Sequence, residues 1–522
     1  MGGSAIADTG TFSNGPLGVS STSSATAYGG VAWGGGLGGS AIANAVTVVN
    51  NPFGASSTSF ARGGNGGDIG PWGGAGGNAS ASASATNTAA ANASAVAVGG
   101  IGGIGVGQNG GNGGVASGTA SATSLGADLA TANVSVYGGS GDYGMLGATS
   151  GGSGADSMLN NAVSGSTVGG SLQLSQTAYG GSGGPNDGGS AGRAGNAVSS
   201  LVITDASSQT VSVASTALGG SGGNSYFQNS TGTVVGGNGT VGGNATAISS
   251  VISSLSTASV NATANATGGI GGNAGLPNSS NGGNANAAAT AVSSGNAVAS
   301  ATASGGSASY YPTHGIGGTA YALSTAIGSS GSAHSVATTN GGFIKSLTAI
   351  SLAPVNNSTS TTASSANIGG PVSNAQSAAA TTAAYAYASG LANFSNAGPN
   401  VSQIFSNPYM TSFGSRAMGA NYALGSIGAQ TYTSNIEWVI NPVAASSLTN
   451  VNFDLGLVDS VSSGAGFSQL GFTLVKFCSL PNSRSGRYTY VLKTRHFGRD
   501  AEIQRPRMAY WGLRQMSLQP RT

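Results

Sequence analysis

The chain has 522 residues, of which 95 are glycine and only 5% are charged, and its formal net charge is +2. A typical soluble domain has about 7% glycine and about 25% charged residues, so this composition argues against ordinary globular domains. Charge-rich disorder is also a poor fit, because that class combines low hydrophobicity with high net charge, and here the mean hydropathy is +0.09. The class that remains is fibrous or repetitive β structure.

Charge is distributed unevenly along the chain. Residues 1–475 contain four Lys/Arg and ten acidic residues, whereas residues 476–522 contain ten Lys/Arg and two acidic residues. The weakly charged body lacks the basic surface of a nucleic-acid-binding protein, and we expect no nucleic-acid partner for it. Its apolar runs are shorter than the ~18 residues of a membrane helix, so no membrane span is predicted. The single cysteine, Cys478, excludes an internal disulfide.

The chain begins inside a repeat pattern. Met1 is followed by GGSAIA, and the charged start and apolar run of a signal peptide are missing. We therefore expect the natural N-terminus to lie upstream of Met1.

A repeat with a mean period of 39 residues runs through residues 1–342. A glycine pair ends each alternating stretch, and these closing pairs begin at Gly29, Gly63, Gly99, Gly138, Gly180, Gly219, Gly268, Gly305 and Gly341. A second marker, GGNA or a relative, lies inside each unit, as at residues 76–79. From this marker to the next closing pair the spacing is 22 to 28 residues, whereas the glycine-rich half varies from 9 to 23. A fixed half and a variable half are typical of a structural rung and its loop.

The fixed half alternates alanine with small polar residues, as in ASASASATNTAAANASAVA at residues 79–97. A period of two predicts β-strands, and a turn-like stretch or a change of parity divides each half into two strands with a bend. Burying an alanine methyl contributes roughly 0.8 kcal/mol, while ordering one residue costs about 1–2 kcal/mol. A single unit therefore cannot fold by itself, and we expect the rungs to stabilise one another by stacking.

The predicted fold is all-β: a repetitive β-solenoid or stacked-sheet body with glycine-rich loops and a small β-rich C-terminal unit. Two alternatives stay open. The glycine halves could form polyproline II-like helices, although they lack a strict three-residue period, or the chain could be largely disordered until it assembles.

Three segments are predicted to follow the repeat array of residues 1–342. Residues 343–430 are rich in Ser, Ala and Thr and form a spacer or degenerate repeats. Residues 431–475 contain strand-like stretches at 431–440 and 472–475 and form a small β end-unit that closes the array. Residues 476–522 are a basic, aromatic tail, either out of frame or disordered, or able to bind nucleic acid or an anionic surface.

Catalytic residues and cofactors are not predicted. The two G-x-S-x-G matches at residues 180–184 and 219–223 lack the acid and histidine partners of a nucleophile elbow. Residues 151–158 match the calcium nonapeptide G-G-x-G-x-D-x-U, which makes Asp156 a calcium candidate, and a partial copy adds Asp68. Such sites depend on tandem copies, which are missing, so no resident metal is expected.

Aromatic residues are concentrated in the variable halves, while the alternating strands largely lack them. Exposed rings can contact carbohydrate or another surface, or they can cover strand ends locally. The surface-contact candidates are Trp33, Trp72, Tyr143, Tyr226, Phe227, Tyr310 and Tyr311.

GGxGGN-type repeats, A-x-A-x-A strands and few charges resemble the PGRS-type and adhesin-like glycine- and alanine-rich proteins of bacterial envelopes. The resemblance covers about residues 1–342 and is compositional, and no PE-type helical domain is recognisable. It implies a secreted or surface-displayed protein. We expect a non-enzymatic extracellular structural or adhesive protein, whose partners are a carbohydrate or other surface ligand and further copies of the chain through β edges. The alternative is an ice- or polysaccharide-binding solenoid that uses a flat Thr/Ser/Asn face.

Overall fold

The computed structural model describes residues 1–340 with gaps at 14–19, 69–71, 147–149, 188, 226, 229–233, 236, 275–279, 310–314, 316 and 329, and after residue 340 only individual strands. Within these residues every helix-or-strand element is a β-strand. The strands are β1 (Ala5–Ser13), β2 (Ser21–Tyr28), β3 (Ala41–Val49), β4 (Ala55–Arg62), β5 (Ala79–Asn87), β6 (Ala91–Val98), β7 (Gly105–Val106), β8 (Ala116–Ser124), β9 (Ala130–Tyr137), β10 (Gly144–Met145), β11 (Ser157–Asn160), β12 (Val163–Ser166), β13 (Ser171–Tyr179), β14 (Ala197–Asp205), β15 (Thr210–Leu218), β16 (Phe227–Gln228), β17 (Val234–Val235), β18 (Ala245–Ser253), β19 (Ser259–Thr267), β20 (Ala285–Val292), β21 (Asn296–Ser304), β22 (Ala320–Ile327), β23 (Ser330–Asn340), β24 (Ile344–Leu352), β25 (Ser360–Gly369), β26 (Ala383–Ser389), β27 (Ser415–Asn421), β28 (Tyr432–Ile440), β29 (Phe472–Cys478) and β30 (Gly486–Leu492).

The fold is a β-solenoid of stacked parallel sheets, as the repeat predicts. Eleven strands form one long sheet, in the order β2-β4-β6-β9-β13-β15-β19-β21-β23-β25-β28. Opposite it lie a first short sheet, β1-β3-β5-β8-β12, and a second short sheet, β11-β14-β18-β20-β22-β24-β26-β27. From β1 to β25 each pass of the chain adds one strand to a short sheet and the next to the long sheet, except that one short-sheet strand is divided into β11 and β12. We call this pair, with its glycine-rich half, a rung.

The predicted alternation of faces is confirmed in both strands of a rung. In β5 the alanines from Ala79 to Ala85 are buried, and in β6 those from Ala91 to Ala97 are buried, while the intervening residues are partly or fully exposed. The register is exact, so that Ala81 pairs with Ala43 on one side and with Gly118 on the other. The core is consequently a set of alanine columns that run along the solenoid, replaced by Val or Leu in some rungs.

The glycine-rich halves are packed segments and not free loops. Gly64 donates its N–H to the Gly39 carbonyl over 2.8 Å, Gly77 donates to Gly64 over 2.7 Å, and Gly100 donates to Gly77 over 2.8 Å. Each of these bonds joins a segment that follows a long-sheet strand, which contains Gly64 or Gly100, to a segment that precedes a short-sheet strand, which contains Gly39 or Gly77. Each rung therefore continues beyond its strands as two glycine layers that are hydrogen-bonded face to face.

The hydrogen bonds of these layers repeat every three residues in the rung that contains residues 63–68. In GGNGGD (residues 63–68) the first glycine of each triplet, Gly63 and then Gly66, donates its N–H to the next rung in the same layer. The second, Gly64 and then Gly67, donates across to the other layer, and the third position faces outward. A three-residue turn without internal hydrogen bonds is the geometry of polyproline II. This hydrogen-bond pattern is compatible with polyproline II segments in the glycine-rich halves, which would lie beside the β-strands and not replace them.

Glycine is required in these layers by close backbone approach. A Cβ on Gly77 would lie 2.0 Å from the Gly39 carbonyl oxygen, and one on Gly64 would lie 1.9 Å from that of Gly30. A side chain there would meet backbone atoms, so the layers would have to shift locally. One later rung accommodates this, because Ala155 stands at the position equivalent to Gly77 and keeps its hydrogen bonds to Gly139 and Gly181 over 2.9 and 2.8 Å.

One rung is broken at Asn161, which has a φ of 48°. Before it, β11 pairs with β14 of the following rung, and after it β12 pairs with β8 of the preceding rung. The buried Gln176 closes the break, since its Oε1 accepts the Ala162 N–H over 3.0 Å and its Nε2 donates to the Leu159 carbonyl over 3.3 Å. The long sheet runs past this point without interruption.

The chain separates into two compact units. The strands from β1 to β28 belong to the first, in which β24 to β28 extend the parallel sheets. The antiparallel pair β29–β30 belongs to the second. The strand predicted at residues 431–440 is β28, while the domain boundaries drawn from the sequence stay predictions.

Candidate functional site

Three of the aromatic surface candidates, Trp33, Trp72 and Tyr143, lie in described parts of the segments between a long-sheet strand and the next short-sheet strand. Trp33 is 86% exposed and Trp72 is 61% exposed, so neither ring is used as cover for the core. Tyr143 is half-buried, and its hydroxyl donates a hydrogen bond to Asp187 of the next rung. The structure places Phe227 in β16 without describing its side chain. Tyr226, Tyr310 and Tyr311 lie outside the described residues.

The calcium candidate Asp156 occupies the position that asparagine takes in the GGNA marker of other rungs. In those rungs the asparagine Oδ1 accepts the N–H of its counterpart one rung on, as from Asn244 to Asn196 and from Asn284 to Asn244, each over 2.9 Å. Asp156 accepts the Asn196 N–H over 2.7 Å in the same way, and its other oxygen pairs with Arg193 at 3.0 Å. Both carboxylate oxygens thus act in rung stacking.

The pKa of Asp156 reflects these contacts. Burial alone would raise it, but the hydrogen bonds from Arg193 and Asn196 and the Arg193 charge outweigh burial, so the pKa lies below its ordinary value. Asp68, the other calcium candidate, accepts the Ile104 N–H over 2.9 Å. Among the residues that the structure describes, no group of three or more His, Cys, Asp or Glu side chains is placed to hold a metal ion.

A second acidic residue lies inside the glycine layers, where glycine is the usual residue. The N–H of Asp142 donates to the Gly111 carbonyl over 3.0 Å, and its carbonyl accepts the Gly152 N–H over 2.8 Å. Burial raises the pKa of the Asp142 carboxyl, the Tyr143 N–H lowers it, and the Asp68 charge raises it, with a net shift upward. This carboxylate is therefore a local destabilising feature at neutral pH.

The outer face of the long sheet presents columns of small polar side chains. One column has a Ser, Thr or Asn in each of five successive rungs, and its partly exposed members are Ser135, Thr177, Thr216, Asn265 and Thr302. Neighbouring strands lie about 4.8 Å apart, and alternate residues of one strand lie about 6.7 Å apart. The face is thus a regular lattice of hydroxyl and amide groups.

Aromatic residues border this face where the strands meet the glycine layers. Tyr137 and Tyr179 stack with ring centroids 4.3 Å apart and an interplanar angle of 6°. Burial first, and then the neighbouring Tyr179, raise the pKa of Tyr137. The rings of Tyr28 and Phe60 have centroids 5.7 Å apart and are tilted by 51°.

A groove of about 350 Å³ lies at the opposite border of this face, where the chain turns from the short sheet to the long sheet. We call it the turn-edge groove, and it crosses four rungs at the starts of β2, β4, β6 and β9. Its lining consists of Ser20, Ser21, Thr22, Phe53, Gly54, Ala55, Ser56, Ala90, Ala91, Asn92, Leu129 and Thr131. Gly54, Ala90 and Leu129 are equivalent by register, and Phe53 precedes this position by one residue. The groove is therefore lined by two large side chains, Phe53 and Leu129, from rungs on either side of one that contributes only small residues and Asn92.

The Phe53 ring is held by a hydrogen-bonded turn. The Phe53 N–H donates to Asn51 Oδ1 over 2.8 Å, and the buried Asn51 donates its own N–H to Asn87 Oδ1 over 3.0 Å. Gly54, with a φ of 99°, allows the chain to enter β4 directly after the ring. These bonds fix the turn, while the ring itself stays 56% exposed.

Sequence reasoning missed the turn-edge groove because it considered aromatics only in the glycine-rich halves. Phe53 lies in the fixed half, in the turn NNPFG at residues 50–54. The signal that could have found it is a large ring between Pro and Gly in a turn whose counterpart in the next rung, TAAA at residues 88–91, has only small residues.

Comparison with protein-family models, with curated proteins and with solved structures finds no match to this chain. Its function is therefore argued from its own geometry. Within the described part of the chain, no helix has the length and apolarity needed to cross a membrane.

Proposed function

We propose that this protein is a non-enzymatic extracellular repeat protein with a structural or adhesive role at a cell surface. The observation that supports it best is the in-register stacking of the rungs, which aligns small uncharged side chains such as Ser56, Asn92 and Thr131 in columns on the outer face. Such a surface offers many weak and similar contacts, and contacts of this kind gain strength when they are made together.

The distribution of basic residues agrees with a location outside the cell. Only Arg62 and Arg193 are basic within residues 1–340, so proteases that cut after Lys or Arg have few sites there. Arg62 ends a strand of the long sheet, and Arg193 lies in a hydrogen-bonded glycine layer. A chain packed in this way would resist degradation, which an extracellular material requires.

Labelling of intact cells tests the proposed location. An antibody raised against the purified chain should label unpermeabilised cells of the source organism, and label that appears only after permeabilisation would contradict the proposal. Cells that lack the gene should detach from their substrate at lower shear than the parent cells. Unchanged detachment together with unchanged stiffness of the cell surface would contradict the adhesive and structural role.

A second candidate function is binding of ice or of a flat polysaccharide surface by the long sheet. The observation that favours it is the five-rung column of Ser, Thr and Asn side chains on its outer face. The purified chain should then slow ice-crystal growth or bind an insoluble glycan, and Thr216→Lys should abolish the effect. The matched control is Ser250→Lys on the outer face of the second short sheet, which should leave the effect unchanged.

A further inference from the structure

We infer that the turn-edge groove is a binding site for an extended segment of a neutral polysaccharide. The inference takes its biological purpose from the proposed adhesive function, but binding in the groove is measurable on the purified chain alone. It also differs from the second candidate function, which uses the five-rung column from Ser135 to Thr302, near the glycine layers, and not the turn border.

The groove has two walls of different chemistry. On one side stand the exposed Phe53 ring and the Leu129 side chain. On the other side run the outward residues at the starts of four neighbouring strands, which are Thr22, Ser56, Asn92 and Thr131 in register. A sugar ring has a matching division, because its C–H groups can pack on an aromatic face while its hydroxyls form hydrogen bonds.

The floor of the groove repeats once per rung. It is formed by the backbone bonds from Ser21 N–H to the Gly54 carbonyl at 3.1 Å, from Ala55 to Ala90 at 2.9 Å and from Ala91 to Leu129 at 3.0 Å. Four rungs span three strand spacings, or roughly 14 Å. A straight groove with a regular repeat suits a polymer that lies along the solenoid axis, and its volume of about 350 Å³ is at the lower end of known ligand sites.

The polar wall is able to reach a ligand. Asn92 and Thr22 are exposed, and Ser56 and Thr131 are partly exposed. Asn92 Nδ2 reaches Ser56 Oγ only at 3.4 Å, a long hydrogen bond that a ligand hydroxyl can replace.

Charge selects a neutral ligand. None of the lining residues that the structure describes is charged. The nearest ionisable group along the chain, the exposed Asp128 next to Leu129, would repel an anionic polymer. A polymer rich in hydroxyl groups and free of charge is the chemistry that fits both walls.

The site is formed before any ligand arrives. The Phe53 turn is fixed by Asn51, which Asn87 holds from the next rung and which donates its own Nδ2 to Ser21 Oγ over 3.2 Å. A backbone turn that is already formed loses little conformational entropy on binding.

Calorimetric titration of the purified full chain tests the inference. The probes are four neutral hexasaccharides (cellohexaose, xylohexaose, mannohexaose and chitohexaose) and one anionic probe, hexagalacturonate. We expect at least one neutral probe to bind and hexagalacturonate to bind at least tenfold more weakly. Phe53→Ala should weaken binding of the neutral probe at least tenfold, and Phe53→Tyr should retain it.

Two matched controls make the result decisive. Phe12→Ala removes another exposed phenylalanine, from the outer face of β1, and should leave affinity unchanged. Asn92→Ala should weaken binding about fivefold, whereas Asn265→Ala on the five-rung column of the long sheet should not change it. The inference is overturned if no neutral probe binds, if Phe53→Ala binds as well as the parent chain, or if Asn265→Ala is the variant that loses binding. None of these results would affect the cell-labelling test of the proposed function.

Discussion

Gly77→Ala is expected to open the two glycine layers. The new methyl would lie 2.0 Å from the Gly39 carbonyl oxygen and 2.6 Å from its carbon, and these are backbone atoms that cannot swing away. Gly77 also donates its N–H to Gly64 over 2.7 Å and accepts the Gly100 N–H over 2.8 Å, and both bonds hold the layers together.

The size of the effect follows from three contributions. Two weakened hydrogen bonds cost about 0.5–1.5 kcal/mol each, and overpacking costs about 1–3 kcal/mol. The lower entropy of the unfolded chain offsets about 0.4–1 kcal/mol of this loss. We therefore expect a net local loss of about 1–5.5 kcal/mol, or on the order of five- to ten-thousand-fold in the opening equilibrium.

Hydrogen exchange measured by mass spectrometry is the suitable assay, because repeat arrays often unfold in parts and a single midpoint would hide a local effect. Peptides that cover residues 63–67 and 99–103 should lose protection, while those within β5 and β6 should lose less. The control is Gly3→Ala, since a Cβ on Gly3 would meet nothing within 4 Å. If Gly77→Ala exchanges no faster than Gly3→Ala, close approach of the layers is not what requires glycine there.

Three further substitutions test other parts of the packing. Val134→Ala should lower the free energy of unfolding by about 1–2 kcal/mol. Adding Gly118→Ala to this variant should recover about 0.4–1 kcal/mol, because Val134 Cγ1, the atom that would lie 3.0 Å from the new methyl, is then absent. An equal gain from Gly118→Ala in the parent chain would contradict this contact. Asp142→Asn should raise stability at pH 7, because burial raises the pKa of this carboxyl and so disfavours its ionised form. The gain should vanish as the pH falls below the ordinary aspartate pKa. Urea denaturation at several pH values measures it. Ser215→Ala should raise stability by about 1 kcal/mol, because within the described residues the buried Ser215 hydroxyl has no hydrogen-bond partner. Ser249→Ala removes a hydrogen bond of 3.1 Å to the Val213 carbonyl and should lower stability in the same assay.

The strands of this fold are readable from the sequence because their cause is local. An alanine on every second position marks a buried face, and the shift of the buried positions from odd in β18 to even in β19 marks the bend between two strands. A unit that cannot bury enough surface alone must stack, and the parallel sheets agree with that energetic argument.

The glycine layers are harder to predict because each contains only about two triplets. A period of three needs more repetition than GGNGGD (residues 63–68) provides to be recognised. The pattern is also interrupted where Asp142 or Thr240 takes a place that glycine has in other rungs, and the Thr240 N–H still donates across the layers to the Gly223 carbonyl. The hydrogen-bonded backbone therefore conserves the geometry where the residue type does not.

The broken strand and the turn-edge groove depend on contacts between rungs. Nothing in SMLNNAVS (residues 157–164) separates β11 from β12, since the break shows only in which neighbouring rung each half pairs with. The groove arises from Phe53 and Leu129 standing two rungs apart with Ala90 between them. Each of these residues is about 38 positions from the next in the sequence, and only the stacking of the rungs brings them close together.

Because each unbroken rung of the described array donates to one neighbour and accepts from the other through equivalent atoms, the fold imposes no particular number of rungs. A tandem duplication of one whole period in the gene would insert a rung whose edges already match both new neighbours, and a deletion of one period would join two edges that fit. Length is thus free to vary in steps of a single repeat during evolution, while the two-layer thickness, set by alanine and glycine contacts, is fixed.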